Sequence, residues 1–493
     1  MLPSPAASQL PTLRQRRIWF FRLACIALAL APFLIAELYL RVTQRVDSAD
    51  LSVDPIFDAV EPAPLFVVSP DGHRMIIPES RINFFRPASF ELHKPGDVRR
   101  VFVLGGSTVQ GRPYETETAF AKWAELRLAS ADPEHRYEVV NCGGVSYASY
   151  RLAIILKEIL TYSPDAIVLY TGHNEFLEER SYNTVGRDAN LLERLARRSQ
   201  LVQAIRERLV AADSADRQEL SPDLRTRLDL IDGMQRYIRD DRWRDGVVEH
   251  FHITLDRMIR MCHVADVPLV LCVPTSDLVR TPPFKVASLA TDGESHDTFD
   301  KQWAIAQDDG ATETQRLNAC KNCLEIDPRH AGSHYVAGQI YINQQNLAKA
   351  RFHLTAARDD DVCPLRATTP IIETILRLAD EHKIRPIRCD ELFDRSDLMQ
   401  RPISDGIPDP HRFVDHIHPS ISGHQEIAKV VSDRLLEIFV VKPSSTAEQD
   451  YQRIALEQLS TLDETYFARG KQRLEGLRNW AAGRAGRLTV DTQ

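Results

Sequence analysis

The sequence predicts an α/β protein: a parallel β-sheet covered by helices on both faces, interrupted by helical insertions and preceded by one N-terminal transmembrane helix. Two observations carry the sheet. Short apolar runs alternate with stretches of helical periodicity, and three of these runs lead into loops that carry glycine. Strands that alternate with helices pair in parallel, because each crossover helix returns the chain over a face of the sheet. The third observation, a long apolar run behind basic residues, carries the membrane helix.

The chain has 493 residues, too many for one compact core, so several units are expected. Hydrophobic residues make up 43% and charged residues 26%, which excludes a disordered chain. The formal net charge of -8, without a basic patch, argues against a nucleic-acid partner. At the N-terminus, Arg14, Arg16 and Arg17 precede an apolar run from Ile18 to Ala36, broken only by Arg22. At ~1.5 Å per residue this run is about long enough to cross a bilayer core. Arg22 is near enough to the end to snorkel, and the early arginines hold the N-terminus inside. Glu37, Leu38, Tyr39 and Leu40 supply no small-x-small cleavage site. Residues 1–45 are therefore expected to form a cytoplasmic stub and an uncleaved signal anchor, with the remainder exported to the periplasm or cell surface.

Residues 46–97 read as an acidic, Pro-containing linker followed by short strands. The core then begins, and its first part spans 98–280. Strands are predicted at Arg100–Leu104, Tyr137–Asn141, Asp165–Tyr170 and Val267–Val273. Leu152, Ile155, Leu156, Ile159 and Leu160 recur at helical spacing between the second and third strands. A charged helical insertion, 177–245, carries no recognisable chemistry. A second insertion, 281–379, has Tyr335, Gly338, Tyr341, Ala350, Leu354 and Ala357 spaced like one tetratricopeptide repeat, with His334 in place of the usual Trp. Such a unit cannot bury its own face, so flanking helices must cap it, and it is a candidate surface for a protein partner. The core resumes over 380–442, with a fifth strand at Arg385–Cys389 and a closing helix at Ile421–Phe439. Residues 443–493 read as a linker and a polar helical tail. Of the eight cysteines, Cys142, Cys262 and Cys272 read as small core residues. Cys320 and Cys323 share one helix face, where packing is favoured over a disulfide with Cys363 or Cys389.

Chemistry concentrates in four short motifs. Gly105-Gly106-Ser107-Thr108 follows the first strand, and Asn141-Cys142-Gly143-Gly144-Val145-Ser146 closes the second. Gly172-His173-Asn174-Glu175 follows the third strand, and Asp415-His416-Ile417-His418-Pro419 stands near the end of the core. A Ser needs a base to take its proton before it can act as a nucleophile. A carboxylate three residues before a His can hold that imidazole in one loop. The order of the four motifs resembles the SGNH, or GDSL-type, hydrolase superfamily. The resemblance implies a flavodoxin-like three-layer parallel sheet and a catalytic triad of Ser107, Asp415 and His418. It implies an oxyanion hole from the backbone of Ser107 and of Ser146 or Gly144, completed by the side chain of Asn174.

Two positions depart from the family pattern. Gly106 stands where Asp usually precedes the nucleophile, and Ser146 stands where a glycine is usual. Single motifs also have plainer readings. Ser107 can cap a helix, Asn174 can be a turn residue, and His416 or His424 can compete as base. A metal site from His411, His416, His418 and His424 with Asp415 lacks a supporting ligand set. Arg112, Tyr114 and Glu175 are expected at the pocket mouth, and Arg366 is a candidate contact for an anionic substrate. The sequence calls for no cofactor. The expected activity is that of a serine esterase acting on an ester, most simply an O-acetyl group, of an extracytoplasmic glycan. An O-acetyltransferase with the same triad is the first alternative. A catalytically inactive, anchored interaction protein that uses the helical repeat is the second.

Overall fold

The computed structural model describes residues 64–182, 224–288, 293–394 and 406–482 continuously, together with 218–220 and isolated positions between 21 and 58. The chain divides into two units, Met1–Asp50 with Arg187–Gln218, and Leu51–Gly186 with Glu219–Gln493. In the first unit the described positions from Phe21 to Ala36 are helical. Phe21, Leu28, Phe33 and Ile35 there are each more than 60% exposed. The rest of the predicted anchor lies outside the described residues, and among the described residues no helix is long and apolar enough to cross a membrane. Most of the first predicted insertion also lies outside them.

The second unit opens with a small antiparallel sheet of β1 (Val67–Val68), β2 (Arg74–Ile76) and β3 (Ser89–Glu91). The main sheet has five parallel strands: β4 (Val98–Gly105), β5 (Arg136–Gly143), β6 (Ala166–Tyr170), β7 (Leu269–Val273) and β8 (Ile387–Arg388). They lie side by side as β5-β4-β6-β7-β8. In chain order this is 2-1-3-4-5, an order compatible with a flavodoxin-like fold. Register pairs Val103 with Asn141 on one side of β4 and with Val168 on the other. All five strands predicted from the apolar runs are present. The fifth is cut to two residues because Cys389 already begins a short helix.

Side chains alternate across the strands, so each apolar run feeds two cores. Phe102, Leu104, Ile167, Leu169, Leu271 and Val273 face one way. They meet α3 (Ser149–Ile159), α4 (Asp241–Val264) and α9 (Thr369–Glu381). Val101, Val103, Val168, Val270 and Ile387 face the other way. They meet α2 (Phe120–Ala131), α10 (Ile421–Ile438) and α11 (Ala447–Ser460). Burying each of these aliphatic side chains contributes roughly 1.5–3 kcal/mol, which fixes the sheet and with it the loops at its carboxyl edge.

The second insertion is built from α5 (Gly293–Gln307), α6 (Glu313–Ile326), α7 (Ala331–Asn343) and α8 (Leu347–Asp359). Helices α7 and α8 fold back on each other, so closely that a Cβ on Gly338 would stand 2.7 Å from the Leu354 side chain. Ala337, Tyr341 and Ala350 share a core with Ala306, Ala319 and Cys320 of the preceding helices. His334 bonds His353 (Nδ1 to Nδ1, 2.9 Å) and the Pro328 carbonyl (3.0 Å). Cys320 and Cys323 are both buried, and all eight cysteines are free. The tail ends in α12 (Glu464–Ala481), which lies against the site described next.

Candidate active site

Strand β4 ends at Gly105, and after Gly106 the chain enters one helical turn, α1 (Ser107–Gln110). This is the carboxyl edge of the sheet, where β4 leads to α2 on one face while its neighbour β6 follows α3 on the other. Ligand sites of open α/β sheets form at such a reversal. The end of β5 clamps the turn from beside. Asn141 Nδ2 donates to the Val109 carbonyl (2.7 Å), and Gln110 Nε2 donates to the carbonyls of Phe84 (2.8 Å) and Gly143 (3.2 Å). A Cβ at Gly143 would stand 2.2 Å from the Gln110 nitrogen, so only glycine lets the turn sit this close.

The fourth motif reaches the same point from the other end of the chain. His418 Nε2 is 2.7 Å from Ser107 Oγ. His418 Nδ1 is 2.7 Å from Asp415 Oδ2. The second carboxylate oxygen of Asp415 accepts the backbone N–H groups of Ile417 (3.0 Å) and His418 (2.8 Å), which curls the loop around the carboxylate. The loop is closed by the Val414 N–H donating to the His418 carbonyl (2.9 Å). It is pinned from the core by the Asp277 N–H donating to the His416 carbonyl (3.0 Å). Ser420 then caps α10 through the Gly423 N–H. Ser107 is 7% exposed and His418 2%, so the contact is shielded but reachable from the Ser side.

Burial alone would push the Asp415 carboxyl up. The imidazoles of His418 and His416, with the hydrogen bonds from His418, outweigh it and hold Asp415 well below the usual carboxylate range. Asp415 is therefore an anion whenever His418 needs one beside it. Burial pushes His416 down to about 4 and His424 to about 3. His424 Nδ1 accepts the Phe120 N–H (3.2 Å), and His416 packs edge-on against Phe284. Both are scaffold imidazoles, and neither is bonded to Ser107.

Asn174 Nδ2 donates to the Tyr147 carbonyl (3.0 Å). It also occupies the space a side chain at 106 would need, since a Cβ there would stand 2.4 Å from it. The Gly106 departure thus has a physical reason. Ser146 adopts φ 63°, the left-handed region in which glycine is the easy occupant. Among the described residues its N–H makes no hydrogen bond, and neither does that of Ser107. Gly144, weighed as the alternative donor, already gives its N–H to the Gly105 carbonyl (2.9 Å). The candidate oxyanion donors with an N–H to spare are thus Ser107, Ser146 and the second N–H of the Asn174 amide. A cavity of ≈ 10 Å³, room for one water, lies among Gly106, Ser107, Gly172, His173, Asn174 and Ile417. Replacing Gly106 by Ala is expected to displace Asn174 and lower kcat by roughly 10²–10³-fold, the loss typical of one oxyanion donor. The fold should survive, so a thermal melt beside the turnover assay checks it. Unchanged turnover would mean that Asn174 donates nothing to the reaction.

The other predicted contacts sit elsewhere. Glu175 is buried and accepts from the N–H (2.9 Å) and hydroxyl (2.9 Å) of Ser149, so it caps α3 instead of facing a pocket. Arg366 is buried, donating to the carbonyls of Asp277 (3.0 Å) and Thr281 (3.0 Å), and stabilises the loop after β7. Tyr114 lies under α12, stacked on Tyr466 (6.0 Å between centroids). Arg112 remains beside the site: its N–H donates to the Ser107 carbonyl (3.1 Å).

The tail was the part missed. Tyr466 bonds Thr118 (2.8 Å), Arg473 bonds Glu115, Arg478 reaches the carbonyl of Val414 (3.3 Å) and Trp480 bonds Asp229 (2.9 Å). Helix α12 therefore runs from the loop after Ser107 to the residue before Asp415. The spacing Tyr466, Gly470, Arg473, Leu477, Trp480 follows one helix face and was the available signal. Comparison with family models, with curated proteins and with solved structures finds no match to this chain.

Proposed function

We propose that the chain is a serine esterase of the SGNH type on a flavodoxin-like core. The observation that carries this reading is the unbroken relay Ser107–His418–Asp415, with both links at 2.7 Å. Ser107 Oγ adds to the ester carbonyl as its proton passes to His418 Nε2. The tetrahedral oxyanion is met by the N–H groups of Ser107 and Ser146 and by Asn174. Collapse breaks the C–O bond to the alcohol, which takes the proton from His418 and leaves an acyl group on Ser107. Water then gives His418 a proton and attacks the acyl carbon; collapse breaks the bond to Ser107 Oγ, which takes the proton back from His418 as the acid leaves. Asp415 stays ionised throughout and stabilises the imidazolium.

An acetylated glycan outside the cytoplasm is the substrate class we infer. The exposed apolar side chains of Phe21, Leu28, Phe33 and Ile35 support a membrane anchor. Acetyl transfer to a sugar hydroxyl is the second reading, because it passes through the same acyl group on Ser107 and differs only in the acceptor. A fluorophosphonate probe on the full chain in detergent tests the shared step. Labelling at Ser107, lost in Ser107→Ala, is expected. A parent chain that takes no label and turns over no aryl acetate sinks both readings and leaves the helical insertion as a docking surface.

A further inference from the structure

Two guanidinium groups, of Arg86 and Arg473, meet one carboxylate, and a third, of Arg112, stands in the loop that follows the turn carrying Ser107. Arg86 comes from the segment before β3, Arg112 from the loop after α1, and Arg473 from α12. The acid that Arg86 and Arg473 share is Glu115. Its Oε2 lies 3.7 Å from Arg86 Nε, and its Oε1 bonds Arg473 Nη2. Arg473 Nη1 also reaches the carbonyls of Pro113 (3.4 Å) and Tyr114 (3.5 Å). Arg112 gives Nε to Gln110 Oε1 (3.0 Å). Among the described residues, no acceptor bonds its two terminal nitrogens, and the Arg86 guanidinium makes no hydrogen bond. Three cations against one anion leave an excess of two positive charges.

The cluster is within reach of a ligand and tied to the site. The Arg86 and Arg473 side chains are 19% and 22% exposed. Burial first, and then the charges of Arg86 and Arg473, push the Arg112 guanidinium down to about 10. Gln110, which holds Arg112, bonds the Phe84 carbonyl; the Val145 N–H bonds the same carbonyl (2.9 Å). Arg86 and Arg112 are thereby fixed to the turn carrying Ser107 and to the loop carrying Ser146. Partly buried guanidinium groups that lack acceptors are costly. An oxyanion removes the cost, because the planar fork of Arg matches carboxylate and phosphate.

We propose that Arg86, Arg112 and Arg473 form a subsite for an anionic group, a carboxylate or phosphate borne by the saccharide whose ester Ser107 attacks. The identity of the reacting ester rests on the esterase reading; anion binding does not. The test uses the full chain with Ser107→Ala, which keeps the cluster and stops turnover. Calorimetric titration compares trigalacturonate, glucose 1-phosphate and neutral maltotriose. At least one anion is expected to bind about 10-fold or more tighter than maltotriose, the worth of one charge-assisted hydrogen bond. Adding Arg112→Gln or Arg86→Gln should remove that preference without lowering the melting temperature, since neither side chain holds α12. Preference for trigalacturonate alone assigns a carboxylate, and for the phosphate alone a phosphate. No binding, equal binding of all three, or a preference that survives both substitutions overturns the subsite. A chain that shows the preference yet takes no fluorophosphonate label keeps the subsite and loses the esterase.

Discussion

Replacing Ser107 or His418 by Ala lowers kcat/KM on an aryl acetate by roughly 10⁴-fold or more, down to the level of the uncatalysed reaction plus whatever binding alone supplies. Ser107→Ala removes the atom that forms the new bond, and among the described residues no other hydroxyl is bonded to His418. His418→Ala leaves Ser107 with no base, because His416 and His424 are held neutral by burial and bonded or packed elsewhere. The two losses are one loss: the double variant should be no slower than either single one, since the residues act as a unit. Asp415→Asn should cost about as much as that change does in other triads, ~10⁴-fold in kcat. An amide at 415 turns a donor toward His418 Nδ1, which forces the proton onto Nε2, the atom that must accept from Ser107. Its other oxygen can still receive the N–H groups of Ile417 and His418, so the loop should keep its shape. Kinetics of the full chain, with melting curves as controls, check all four variants. If His418→Ala kept a tenth of parental activity, the base would be another group and the relay would be incidental.

Much of this was legible in the sequence, for physical reasons that differ from part to part. Strands buried on both faces are mostly apolar, so Val101–Leu104 and Ala166–Tyr170 were plain as runs, while Arg99 and Arg100 hid the start of the first strand. Helix α3 was plain because Leu152, Ile155, Leu156 and Ile159 all face the sheet. Ser107 and Asn174 were found because each follows such a strand, and Asp415 and His418 because a carboxylate stands three residues before a His in the last motif of the order. Roles set by the pairing of distant segments were not legible. Glu175 follows Asn174 in sequence, yet the start of α3 captures both its oxygens. Gly144 was a fair donor on paper, but its N–H is taken by Gly105. Helix α12 reads as a polar tail because the face it turns to the core is made of Tyr466, Gly470 and Arg473, which no apolar pattern flags. Arg86 lies 21 residues before Ser107 (107 − 86) and meets Arg473 only through the fold.

Acid should destabilise this protein from near pH 6.5 downward, with one partial offset: burial pushes the Asp361 carboxyl up to about 6, so it takes its proton in the folded chain first. His173, His416 and His424 stand around the site fully enclosed, and burial pushes them down to about 3, 4 and 3 from the ordinary 6.5. His173 Nδ1 accepts the Ala367 N–H (3.1 Å), so its ring is fixed as a neutral acceptor. Above pH 6.5 folded and unfolded chains carry the same charge at these three groups, and stability is intact. As pH falls below 6.5 the unfolded chain binds a proton at each while the folded chain refuses until about pH 4, so stability is lost through that window. Near pH 5 the difference approaches three protons. At about 1.4 kcal/mol per proton per pH unit, the slope approaches ~4 kcal/mol per unit, enough to exhaust an ordinary domain's stability within a few units. Asp415 adds to this only lower down, because its depressed carboxyl sets a loss that starts below the ordinary 3.8. Denaturant unfolding of the full chain at pH 7.5, 6.5, 5.5 and 4.5 measures the slope. The midpoint should hardly move over the first unit and then drop. His424→Asn, which can keep an acceptor for the Phe120 N–H while removing a titrating ring, should reduce the slope by about a third of what these three rings supply, His330 and His353, pushed down to about 4, adding to the rest. A midpoint that stays level down to pH 5 would mean that these imidazoles take protons in the folded state, and their reading as neutral scaffold rings would have to be given up.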